Sequence, residues 1–93
     1  SIYEIENVMQ EEMNMTKEEA INRVRCEIKS YIVAAGYTQK EAVEACAVEF
    51  ENWSPSDSNF SNKLEKGTFR YLDARQLAEI LGYEIVWRRR RDD

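Results

Sequence analysis

The chain holds a single proline, Pro55, and only three glycines, Gly36, Gly67 and Gly82, in 93 residues. So few backbone breakers leave long stretches free to be helical, and each breaker is expected to mark a boundary. The signals beside them agree. Thr16-Lys17-Glu18-Glu19 and Thr38-Gln39-Lys40-Glu41 both have the spacing of a capping box. In that motif a Thr hydroxyl takes an orphan backbone N–H and the Glu reaches back. Ser54-Pro55-Ser56-Asp57 is a third start, with the proline expected at the first helical position, where its missing N–H costs nothing.

Between these marks the apolar residues recur at helical period. Ile21, Val24, Ile28, Ile32 and Ala35 predict one helix face, closed by Gly36. Ala42, Val43, Cys46, Ala47 and Phe50 predict a second helix reaching about Asn52 or Trp53. Phe60 and Leu64 anchor a third from Ser56 to Lys66, and Ala74, Leu77, Ala78, Ile80 and Leu81 a fourth from Leu72 to Leu81. Tyr83-Glu84-Ile85-Val86-Trp87 alternates β-formers and reads as a short strand. A strand needs a partner for its ladder groups, and here the partner would come from the N-terminus or from a second subunit. Ile2 to Asn14 fits an amphipathic helix or irregular structure equally well, and Ile2 to Glu6 could be an added strand. The expected organisation is an extension over 1–15, a helical domain over 16–82, and a strand with a basic tail over 83–93.

Hydrophobic residues make up 43% and charged residues 33% of the chain, which suits a folded globular domain. No apolar run is long enough to span a bilayer, and the acidic start lacks the features of a signal peptide. No membrane partner and a cytoplasmic setting are therefore expected. Cys26 and Cys46 read as small core hydrophobes in a reducing compartment. With no histidine, no glycine-rich phosphate loop and no Ser or Cys with an activating neighbour, the chain is not expected to be an enzyme, nor to hold a metal or cofactor.

The third helix carries the functional signal. Ser56, Ser58, Asn59, Ser61, Asn62 and Lys63 surround its two apolar anchors. Small hydroxyl and amide side chains can donate to and accept from base edges in a major groove, and Asn suits bidentate contact with adenine. The same residues also fit an ordinary solvated helix face. Against DNA stands the formal net charge of -5, because phosphate contacts normally supply much of the affinity. That acidity is concentrated in residues 1–53, with 11 acidic and 5 basic side chains, whereas residues 54–93 carry 7 and 8.

Gly36-Tyr37-Thr38-Gln39-Lys40-Glu41-Ala42 resembles the start of the second helix in Cro/cI-type (XRE) helix-turn-helix proteins. Ser58 to Gly67 resembles their third helix and its terminating glycine, and Leu77 to Ile85 their last core helix and exit. The resemblance covers residues 20–86. It implies a mainly α, four- to five-helix, lambda-repressor-like bundle with a short C-terminal β-strand, whose third helix enters the major groove. Carried over, Thr38 and Gln39 contact DNA at the start of the second helix, Gln39 bonding a phosphate. Ser56, Ser58, Asn59 and Asn62 face bases, and Lys63, Lys66 and Arg70 hold the backbone of double-stranded DNA. The implied function is a sequence-specific transcriptional regulator of phage or mobile-element type. The need of Tyr83–Trp87 for a partner strand separately suggests a homodimer through that segment. This chain departs from the family at Glu44 to Ser54, which is longer than the usual turn: either the second helix is extended by about two turns or the connection is enlarged. That segment and the acidity suggest a second reading, a protein-binding inhibitor (anti-CRISPR-like or antitoxin-like) whose acidic surface occupies a partner's nucleic-acid site.

Overall fold

The computed structural model describes residues 15–91; the expectations for Ile2 to Asn14 lie outside them. Four helices follow one another: α1 (Lys17–Ala34), α2 (Gln39–Glu49), α3 (Asp57–Lys66) and α4 (Tyr71–Leu81). The first three begin at the expected start signals, and α4 begins one residue before the expected Leu72. Thr16 Oγ1 accepts from Glu19 N at 3.1 Å. At α2 the box is complete, with Glu41 N donating to Thr38 Oγ1 at 3.1 Å and Thr38 N to Glu41 Oε1 at 3.0 Å. The Thr38 backbone N–H, with the Thr38 hydroxyl beside it, holds the exposed Glu41 carboxyl below its ordinary pKa. Pro55 lies two residues before the first helical position, the place expected for it. It precedes the cap, and Ser56 itself caps α3 by accepting from Asn59 N at 3.2 Å.

Three helices end in one way. The residue after the left-handed glycine donates back to a carbonyl five residues earlier: Tyr37 N to Ile32 O, Thr68 N to Lys63 O, and Tyr83 N to Ala78 O. This satisfies carbonyls that the last turn leaves open. Helix α2 has no glycine and stops differently. Phe50 leaves the helix with φ -123° and ψ 124°, so α2 ends at Glu49, short of the expected Asn52 or Trp53. The long 44–54 region is thus the last turn and a half of α2 followed by an enlarged connection.

The cause is tertiary. Trp53 turns back into the core, with its ring 6.0 Å from those of both Phe60 and Phe69, which are 5.4 Å from each other. Its indole N–H donates to Gln76 Oε1 on α4 at 2.9 Å, and the Asn52 and Gln76 amides exchange two further bonds at 2.8 and 3.0 Å. A helix continued through Trp53 could not deliver that ring.

The core is continuous with this cluster. Ile32, Ala42, Val43, Cys46, Phe60, Leu64 and Leu77 are buried, drawn from all four helices. Helix α1 packs against α2 and α3, and α2 packs against α3 and α4. With 18 residues α1 is about 27 Å long, against roughly 15–17 Å for the others, so it overhangs them. Its expected inner face is accordingly buried only at Ile32; Ile21, Ile28 and Ala35 are half-buried and Val24 is exposed. Cys26 also departs from expectation, being exposed on α1, whereas Cys46 is buried; both are free thiols.

Among the described residues no strand forms. Residues 83–91 leave α4 and turn back along it, with Tyr83 against Tyr31 of α1 at 5.1 Å between ring centroids. Trp87 packs on Tyr71 at the start of α4 at 5.9 Å and donates its indole N–H to the Tyr71 hydroxyl at 2.8 Å. That bond, with one from Arg75, lowers the Tyr71 pKa. The expected ladder has no second strand within these residues. No described helix is long and apolar enough to cross a membrane.

Two measurements check this packing. Gly67 has φ +71°, and a Cβ there would lie 2.9 Å from Ile21 Cγ1 and Cδ1, whereas Gly82 at φ +85° faces open space. Gly67→Ala should therefore cost about 2–3 kcal/mol in urea unfolding, against about 1 kcal/mol for Gly82→Ala, which carries only the backbone strain. Burial pushes the Cys46 thiol up to about 11, so it stays neutral at neutral pH. A thiol reagent should then titrate one cysteine in the folded chain, Cys26, and the second only after denaturation.

Candidate nucleic-acid interface

Helix α3 is fixed from three sides. Phe60 and Leu64 bury its inner face. Its entry is set by Ser54 Oγ, which accepts from Ser56 N at 3.2 Å, and by the Ser56 cap. Its flank is braced by Gln39 at the start of α2, whose amide Nε2 donates to Asp57 Oδ1 at 2.7 Å and to Ser61 Oγ at 2.8 Å. This amide bridge joins the beginnings of α2 and α3 across the enlarged connection.

The side chains left outside form a stripe. Ser58, Asn59, Asn62, Glu65 and Lys66 are exposed, and their i, i+1, i+4, i+7, i+8 spacing puts them on one helix face. Lys63 is half-buried at the rim, beside the Trp53–Phe60–Phe69 cluster. Among the described residues, the side chains of Ser58, Asn59 and Asn62 take part in no hydrogen bond. Their amides and hydroxyl are open to a ligand.

The expected site residues separate into two groups. Ser58, Asn59, Asn62 and Lys66 share the open stripe, with Lys63 on its edge. The others are engaged within the fold. The Thr38 and Ser56 hydroxyls are helix caps, and Gln39 faces α3. Arg70 lies outside α3, where its guanidinium donates to both oxygens of Asp73 at 3.3 and 3.2 Å while its backbone N–H donates to Asp73 Oδ2 at 3.1 Å. Asp73 is only 2% exposed, and these three bonds satisfy a carboxylate that would otherwise be costly to bury.

Sequence reasoning missed Asp57 and Ser61 as partners of Gln39, and Gln76 as the residue that holds the connection. These pairs lie 18 to 24 residues apart, so no periodicity announces them. Asp73 could have been found, since it stands three residues after Arg70 in the position of a capping-box acid.

The electrostatics of α3 are balanced. Asp57 stands in the first turn and Lys63 and Lys66 in the last, the arrangement that the helix dipole favours. Glu65 adds one negative charge to the open stripe. No family model, no curated protein and no solved structure matches the chain.

The two amide clamps should differ in weight. Gln76→Ala strands the half-buried indole N–H of Trp53 and frees the connection, and should cost about 1–3 kcal/mol in urea unfolding. Gln39→Ala leaves Asp57 and Ser61 near water and should cost no more than about 1 kcal/mol.

Proposed function

We propose that the protein is a sequence-specific DNA-binding regulator that reads the major groove with α3. The observation that carries this reading is the Ser58–Asn59–Asn62 stripe. It is exposed and free of internal bonds, and it stands on a helix whose other sides are fixed by the core, a cap and the Gln39 brace. Fixed polar side chains on a rigid helix can meet base edges with little loss of freedom on binding. Lys66, with Lys63 at the rim, supplies charge for the DNA backbone. The resemblance of Thr38–Ala42 and Ser58–Gly67 to the XRE helix-turn-helix pattern supports the same assignment.

Three roles change from the sequence reading. Ser56 supports α3 as its cap instead of reading a base, and Gln39 supports α3 instead of binding a phosphate. Arg70 acts through the buried Asp73 to shape the start of α4.

The net charge of -5 and Glu65 on the stripe favour a second reading, in which this surface meets a basic protein. Selection from a random-sequence duplex library across a salt series separates the two. The DNA reading expects enriched sequences and retention that falls steeply with salt, because bound counterions must be released. Neither would be seen with a protein-only surface. On an enriched site, Asn59→Ala and Asn62→Ala should each relax preference at one position by about 1–3 kcal/mol. Lys66→Ala should instead weaken all sequences alike and reduce the salt slope by about one.

A further inference from the structure

We propose that Trp87, Tyr71 and Arg75, with the arginines that follow Trp87, form a binding site for single-stranded nucleic acid. An unpaired base stacks on the indole while the strand's phosphates meet the arginines. The first observation is how the ring is held. Trp87 is 77% exposed, yet its N–H donates to the Tyr71 hydroxyl at 2.8 Å and the two rings lie 5.9 Å apart. Arg75 donates to the same hydroxyl at 3.1 Å, and its guanidinium stands 5.8 Å from the centre of the Tyr71 ring. The polar edge of the indole is thus satisfied within the fold, while most of its apolar surface stays in water. Trp53, by contrast, packs on Phe60 and Phe69. A ring that is both held and open suits stacking, because little freedom is lost when a flat ligand covers it.

The second observation is the charge beside that ring. Four arginines follow Trp87 directly and two aspartates follow them, so residues 88–93 sum to +2 in a chain of net charge -5. Among the described residues, Arg88, Arg89 and Arg91 are exposed and enter no hydrogen bond or ion pair. Arg75 bonds the neutral Tyr71 hydroxyl, so its charge is also left uncompensated.

Ring and cations together select the partner. An open π-face beside guanidinium groups matches a base joined to phosphates, the combination that binds single strands with little regard to sequence. In a duplex each base shows the grooves only its edge, so a stacking ring requires an unpaired strand. An acidic peptide would use the arginines and leave the indole face empty. The hydroxyl of this face, on Tyr71, is already bonded from two sides and is not free to read a sugar. DNA and RNA strands should therefore bind alike. The site lies on α4 and the segment after it, and nothing in it depends on what α3 binds.

Titration of the full chain with short labelled oligo(dT) and oligo(U) tests it. Strand anisotropy gives Kd, tryptophan emission reports stacking, and circular dichroism checks folding. Both strands should bind with similar Kd and quench the emission, and a duplex of the same length should leave the emission unchanged. Trp87→Ala should abolish the quenching and raise Kd about tenfold or more, the worth of one stacked base. Trp87→Phe keeps a ring and should bind within a few fold of the parent. The double variant R88A/R89A should lower the slope of log Kd against log salt by about 1.4, as two phosphate contacts on a single strand require. Asn59→Ala should change none of these readings, which separates this site from duplex reading by α3. Absence of binding by either strand would overturn the proposal. So would a Kd untouched by Trp87→Ala, which leaves only a charged tail, or a response to phosphatidylglycerol vesicles alone, which makes the face a membrane contact.

Discussion

The structure depends on where one indole goes. Trp53 lies in the connection between α2 and α3, yet it packs on Phe60 of α3 and Phe69 of the following turn while bonding Gln76 of α4. One side chain thereby ties together the connection, the helix after it and the turn beyond. A connection of this length would otherwise leave α3 free to swing, since loop closure itself restrains little once a loop is long. Aromatic contacts of this kind add to the area they bury. The half-buried N–H makes the arrangement selective as well, because it must find an acceptor when the ring goes in. The Asn52–Gln76 amide pair repeats the constraint one residue earlier. An extended turn is thus as well defined as a tight one, by different means.

A second consequence concerns polar side chains in a small domain. A protein of this size has few buried groups to spare, and the backbone ends of four short helices all need partners. Thr16, Thr38, Ser56 and Asp73 meet that need. Gln39 and Gln76 fasten one segment to the next. What remains for a ligand is the remainder after these demands, which is why the open stripe on α3 is narrower than the polar sequence of that helix suggests.

Much of the fold was legible because local chemistry decides it. Thr38 and Glu41 specify a cap at a fixed spacing, and Gly36, Gly67 and Gly82 specify left-handed ends, so the boundaries they control fall where the sequence puts them. The end of α2 was not legible, since Phe50 to Trp53 are acceptable helix residues and only the distant Phe69 and Gln76 draw the chain away. Val24 and Cys26 misled for a related reason: periodicity marks a face, but not whether a shorter neighbour reaches far enough to cover it. Tyr83 to Trp87 has the composition of a strand, and composition cannot provide the second strand. On α3 the apolar anchors and the outward Asn and Ser positions were readable from spacing. The separation of Ser58, Asn59 and Asn62 from the engaged Ser56 and Gln39 was not, since it rests on bonds between helices.

The charges on α3 restrict how it could lie on DNA. Helix N-termini commonly receive a phosphate, but here Asp57 stands at that end. Its oxygen accepts from the neutral Gln39 amide, so its charge is not cancelled. A phosphate is therefore poorly received at the start of α3 and well received near Lys63 and Lys66 at its end. The bonding-competent residues Ser58, Asn59 and Asn62 fall on the outer face between these two ends. In the proposed complex the duplex backbone then runs past the last turn of α3 and the first half of the helix points down over base edges. That orientation removes part of the difficulty of an acidic chain. In that proposed complex the favourable charges lie where the DNA backbone would pass, and the negative charge of Asp57 would oppose binding in the opposite sense.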